Sequence, residues 1–362
     1  MKDELQSRLE RLQRQTRSDP ETVPIEPLER ALQVETESIR DRALTVTYTI
    51  SLTQPDRVRT LVPQLVSLLE SDRATIRTKA ALTLGNVAET SPGPVSPHAN
   101  RLVERLDDQS ASTTRSAIGA LRQIAANDPT AVVDAVPRVT SLLQAESEET
   151  RRDAAAVLEA VSDDHPADVI ESTDALLALL TDPHRTPTEI TYDPNATNDK
   201  SSATEQMGGY QTLVSDRGGR AANVRAREAA ARTLASVTPE ETALATEALE
   251  PHYPSLFGLL EDYNPMIRAS VAGVLAYLAE DTPEAIQPAE ETLIESLDGP
   301  VTVAGNAVWA LRFIGTDRAV SALTDVLERD DIDPAVVRTA EEAIDALADE
   351  RADCDDVGGA QP

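Results

Sequence analysis

Residues Leu68 to Ala88 read "LLESDRATIRTKAALTLGNVA". An apolar stripe enters an acidic turn, and a second stripe opens on an arginine and continues through small residues. Leu65 and Leu69, four apart, share one helical face, and Leu84 and Val87, three apart, share another. The stretch therefore predicts two helices joined by a short turn. The same phrase returns along the chain. Leu32, Leu69, Leu106, Leu143 and Leu180 are each 37 residues apart, and Leu28, Leu65, Leu102, Val139 and Leu176 keep the same step four residues earlier. Leu84, Leu121 and Leu158 form a third ladder, and Val87, Ile124 and Val161 a fourth. Pro55, Pro92, Pro129 and Pro166 share the period and fall just past the second helix, where a residue that cannot continue a helix is expected.

Each unit is thus helix A, an acidic turn, helix B and a proline-marked break. Small residues crowd the start of helix B, as in "RDAAAVLEAV" (Arg152 to Val161), which lets helices pack closely. One such hairpin cannot bury its own stripe, so neighbours must stack into a repeat array. A chain of 362 residues suits such an array better than a single core.

The units resemble the HEAT repeats of the ARM-type superhelical class. The resemblance rests on Leu68 to Ala88, on "LLEDYNPMIRASVAGVLAYLA" (Leu259 to Ala279) and, more loosely, on "LQVETESIRDRAL" (Leu32 to Leu44). It implies an all-α, right-handed α-α superhelix of about eight helical hairpins, with units starting near residues 19, 57, 94, 131, 168, 241, 285 and 317. It also implies an Asp/Arg hydrogen-bonded ladder between repeats, placed on Asp72 with Arg77 and on Asp262 with Arg268. Arg40, Arg151 and Arg227 occupy similar places, whereas Ala304 replaces the arginine in its unit. The resemblance covers nearly all of the chain except an N-terminal helix (1–18), an insertion (184–223) and an acidic tail (349–362). It leaves repeats 1–4 and helix A of repeat 5 in 19–183, and the rest of the array in 224–348. It is specific for fold and silent about function.

Acidic residues number 63 against 33 basic ones, for a net charge of −30, yet 40% of residues are hydrophobic, which is too apolar for a disordered acidic chain. Only Lys2, Lys79 and Lys200 are lysines. Many carboxylates with few lysines resemble the cytosolic proteins of salt-loving archaea, in which molar salt screens repulsion within about 3 Å. Cys354 is the single cysteine, and four scattered histidines give no metal-ligand spacing. No cofactor or metal is expected. The N-terminus lacks an apolar leader and no run of about 18 apolar residues occurs, so a cytoplasmic location with no membrane partner is expected.

Two features interrupt the repeat. The separation from Leu180 to Leu234 is 54 residues where Leu69 to Leu84 is 15, an excess of 39. This insertion, which includes "EQMGGYQTLVSDRGGR" (Glu205 to Arg220), carries four basic and five acidic residues and runs into Arg217, Arg220, Arg225, Arg227 and Arg232. Three readings stay open: a surface loop whose arginines pair with carboxylates, a docking arm with a short hairpin around Tyr210, or a phosphate site on glycine amides and arginines.

The second feature is aromatic. Six of nine aromatics lie between Tyr253 and Phe313. Tyr277 and Phe313 each follow a helix B leucine by two residues, and Trp309 lies one turn before Phe313 on the same face. Matching places in earlier units hold Asn86, Gln123 and Ala160. Helix B lines the concave side in the resembled family, so Tyr277, Trp309 and Phe313 form either an exposed patch suited to a partner or the buried seam between repeats six and seven.

No HExxH motif, nucleophile elbow or Cys/His pairing is present, and the resembled di-iron branch's His-Glu pairs are missing. The sequence is therefore read as a non-catalytic scaffold with an unidentified protein partner, using Tyr210, Arg217, Arg220, Arg225, Tyr277, Trp309 and Phe313. A nucleic-acid-binding relative using the Arg217 to Arg232 cluster ranks second, since a chain at −30 repels phosphate. A lyase-type enzyme or an enzyme accessory subunit ranks third.

Overall fold

The computed structural model describes residues 2–182 and 219–358. The described residues are mainly helical and contain no strand. The chain divides into two compact units, Met1–His165 and Pro166–Pro362.

In the first unit α1 (Lys2–Ser18) precedes hairpins formed by α2 (Glu26–Leu32) with α3 (Glu37–Ser51), and by α4 (Pro55–Val58) and α5 (Val62–Leu68) with α6 (Ala74–Thr90). Then follow α7 (Ala99–Val103) with α8 (Ala111–Ala125), and α9 (Val136–Ser141) with α10 (Glu148–Ser162). The long second helices stack in chain order, α3 on α6, α6 on α8 and α8 on α10, while α1 packs on α3 through buried Leu9 and Leu12.

The second unit repeats the plan. It runs through α11 (Pro166–Val169), α12 (Thr173–Thr181), α13 (Gly219–Glu240), α14 (Thr242–Leu249), α15 (Tyr253–Leu259) and α16 (Pro265–Asp281). It ends with α17 (Pro283–Ile286), α18 (Glu290–Ser296), α19 (Val301–Ile314), α20 (Asp317–Leu327) and α21 (Pro334–Gly358). Helix α13 stacks on α16, α16 on α19 and α19 on α21. Among the described residues each unit contains four hairpins, and all four apolar ladders are buried, with Leu84, Leu121 and Leu158 fully so.

The prolines do more than stop helix B. Pro55, Pro166 and Pro283 are the first residues of four-residue helices, and Pro129 opens a 3-10 segment, so each ends one element and starts the next. A proline lacks the N–H that a first helical turn leaves unpaired anyway, and its φ is already helical. Helix α13 begins at Gly219, inside the stretch assigned to the insertion, which moves the start of that helix B five residues earlier.

Tight stacking of the second helices depends on small residues. A Cβ on Gly85 of α6 would lie 3.3 Å from the Ala120 Cα of α8. One on Gly273 of α16 would lie 3.2 Å from the Asn306 side-chain nitrogen of α19.

Candidate partner-docking groove

The Asp/Arg ladder sets the register between hairpins, and it differs from the expectation. Arg77 does not pair with the Asp72 carboxylate of its own repeat. Its Nε and Nη2 donate to both carboxylate oxygens of Asp108, in the next repeat's turn, each at 2.7 Å, while Nη1 donates to the Ser71 carbonyl at 2.7 Å. Asp72 acts on Arg77 through its nearby charge. The Arg77 hydrogen bonds hold the Asp108 carboxyl below the usual carboxylate range.

Asp262 and Arg268 are displaced in the same way. Arg268 donates to the Asp262 backbone carbonyl at 2.7 Å, and the Asp262 carboxylate accepts from Arg227 at 2.5 Å. The physical reason is shared: the arginine near the start of helix B clamps turn carbonyls, and in Arg77 and Arg227 its remaining edge reaches the acidic turn of the following repeat.

Arg227 is 1% exposed. It also donates twice to the Leu180 carbonyl that ends α12, at 2.8 and 3.1 Å, and once to the Tyr263 hydroxyl at 3.3 Å. Its guanidinium lies 5.6 Å from the centre of the Tyr263 ring, and burial pushes the tyrosine hydroxyl above its ordinary pKa. Arg227 is thereby removed from the basic cluster on which the nucleic-acid reading rests. Of the other cluster residues, Arg225 is exposed on α13, Arg217 lies outside the described residues, and Arg220 lies in α13 with its side chain outside them. Tyr210 and the proposed hairpin also lie outside the described residues.

The aromatic residues come together. Tyr277 on α16 is 41% exposed although its neighbours Leu275 and Leu278 are fully buried. Trp309 and Phe313 on α19 are half-buried. The three line a groove of about 230 Å³ between α16 and α19, with Gly273, Ala276, Glu280 and Asn306 completing it. The patch is thus neither a fully buried seam nor a free surface, but an open slot with aromatic walls.

Its geometry follows from helical spacing. Gly273, Tyr277 and Glu280 fall at i, i+4 and i+7 on α16, and Asn306, Trp309 and Phe313 at i, i+3 and i+7 on α19. Gly273 and Ala276 add no bulk, so space remains where larger side chains would fill it. The Asn306 amide donates to the Ala269 carbonyl at 2.8 Å, tying α19 to α16. Arg312 is not part of the lining, and its guanidinium lies 5.3 Å from the centre of the Trp309 ring and 4.7 Å from that of Phe313.

Sequence reasoning found the three aromatics but missed Gly273, Glu280 and Asn306. Their signal was present as the i−4 and i+3 neighbours of Tyr277 and the i−3 neighbour of Trp309. Tyr253, fully aromatic in the same region, is buried against Phe257, and its ring lies 6.2 Å from that of Phe257. Among the described residues no group of three or more His, Cys, Asp or Glu side chains is arranged to hold a metal, and no helix is long and apolar enough to cross a membrane.

Residues 16–182 match the adaptin N terminal region. The groove lies beyond that stretch. No curated protein is detectably similar to the chain. Among solved structures, the chain is similar to an engineered protein at 21% identity and a TM-score of 0.66, over 90% of this chain and 78% of that one. A designed armadillo repeat protein aligns at 20% identity and a TM-score of 0.47, over 79% of this chain and 99% of that one. With long second helices stacked within each unit and four buried ladders at a step of 37 residues, the described residues form an all-α array of repeated helical hairpins, the fold class shared with the engineered protein, and the first part of the chain is similar to the adaptin N terminal region.

Proposed function

We propose that the chain is a non-catalytic scaffold that docks a protein partner on the helix B face of its second unit, in the cytoplasm of a high-salt cell. The observation that carries the docking reading is the slot bounded by Tyr277, Trp309 and Phe313. Large aromatics that keep part of their surface in water while sitting on rigid, stacked helices are favoured interface anchors, because they bury area at little cost in side-chain order. The high-salt setting is supported by the excess of carboxylates and the scarcity of lysine. The burial of Arg227 in the inter-repeat ladder favours this reading over nucleic-acid binding, since it removes a central charge from the basic cluster on which that alternative rests.

Trp309→Ala tests it. Trp309 is half-buried, so the substitution should cost less than the 3–5 kcal/mol typical of a fully buried large aromatic, about 1–2 kcal/mol. Helical content should be kept while partner retention in high-salt pull-downs falls at least about tenfold, the loss of one hot-spot anchor. A variant that folds and retains the partner unchanged would place docking elsewhere on the chain.

A further inference from the structure

Building on the docking reading, we infer that the groove's occupant is a cationic side chain, arginine or lysine, carried by a basic peptide segment of the partner. Three aromatic side chains bound the slot, and the faces of such rings carry partial negative charge. Glu280 stands at the same slot, exposed and without a hydrogen-bond or ion-pair partner among the described residues. Asn306 uses its amide nitrogen on the Ala269 carbonyl, which leaves its oxygen as a further acceptor. Every polar element of the lining thus favours a donor with positive charge.

The surroundings point the same way. Residues 253–317, which carry the groove, contain ten carboxylates against two arginines, Arg268 and Arg312. Arg268 is bound to the Asp262 carbonyl, and Arg312 is not among the residues that line the slot. Its guanidinium, 5.3 and 4.7 Å from the centres of the Trp309 and Phe313 rings, shows that these rings suit a guanidinium. The volume, about 230 Å³, is below the range of about 300–1,000 Å³ usual for small-molecule sites, so it suits one long side chain rather than a cofactor.

Trp309 is the only tryptophan, so its emission reports the groove without a label. The full-length chain is titrated in molar potassium chloride, which keeps it folded and screens its net charge, with four acetylated, amidated pentapeptides that alternate alanine with arginine, lysine, norleucine or glutamate. Arginine and lysine peptides should give saturable changes, with norleucine and glutamate at least about tenfold weaker. Glu280→Gln, at an exposed position that leaves folding intact, should weaken the arginine peptide about three- to tenfold and leave norleucine unchanged. Equal binding of norleucine and arginine would overturn the cationic occupant while leaving a docking groove in place. No saturable change with any peptide, or an arginine affinity unmoved by Glu280→Gln, would overturn the inference as well. Loss of the partner in Trp309→Ala pull-downs is read independently, so the two proposals fail separately.

Discussion

Replacing Arg227 with alanine removes the most elaborate polar contact of the second unit. The side chain is 1% exposed and the Asp262 carboxylate facing it at 2.5 Å is 5% exposed, so neither charge has water to fall back on. The substitution leaves that carboxylate buried and uncompensated and strips two hydrogen bonds from the Leu180 carbonyl. Removing one partner of a buried ion pair costs about 3–5 kcal/mol. Urea unfolding followed by Trp309 emission reads the second unit, where that tryptophan lies on α19. With a slope near the upper end of the range for small proteins, about 3 kcal/mol/M, the midpoint should fall by about 1–1.7 M. The double variant Arg227→Met with Asp262→Leu should recover more than half of the loss, because a buried pair exchanged for apolar groups of similar volume is often nearly neutral. A midpoint shift worth under about 1 kcal/mol, as for an exposed pair, would refute the reasoning.

Other consequences are checked more simply. The Asp108 carboxyl is held below its ordinary value by Arg77, so its contribution is complete above the unfolded carboxylate pKa of about 3.9 and disappears as pH falls through the lower folded value. Asp108→Asn should lower stability at neutral pH and flatten the acid limb of a pH-melting curve; an unchanged acid limb would contradict the bidentate pair. Gly85→Val should cost about 1–3 kcal/mol in thermal melting because the nearest atom, the Ala120 Cα, is helix backbone. Gly258→Ala, where nothing lies within 4 Å, should be neutral or stabilising by up to about 1 kcal/mol, and similar effects at both positions would count against helix contact as the cause. With a net charge of −30, melting temperature should rise between about 0.1 and 3 M potassium chloride as repulsion is screened, and a flat or falling curve would contradict the high-salt reading.

The hairpins were legible because their signal is local and repeated. Leu69 and Leu84 reveal two helices in one unit, and their recurrence at 37 residues reveals the stack. What repeats cannot reveal is which unit a side chain reaches. Asp72 and Arg77 are five apart in sequence and look like partners, yet stacking brings Asp108, 31 residues on, to the guanidinium. The ladder residues Arg77, Asp262 and Arg268 were therefore found while their pairing was not. Helix boundaries beside a proline were ambiguous for a similar reason, since Pro55 can as well begin a helix as end one. At the groove, aromatic residues announce themselves by rarity, whereas Glu280 is one carboxylate among 63 acidic residues and gains meaning only from standing beside Tyr277.

The central claim is that partners dock at the slot between α16 and α19. A photo-cross-linking residue placed at Tyr277, with the same residue at the still more exposed apolar Leu52 of the first unit as a control, tests it most directly. The account predicts a discrete protein adduct from position 277 that disappears in the Trp309→Ala background, its linkage mapping to a segment rich in arginine or lysine, and none from position 52. Adducts from both positions alike, or an adduct at 277 that survives the loss of Trp309, would contradict it.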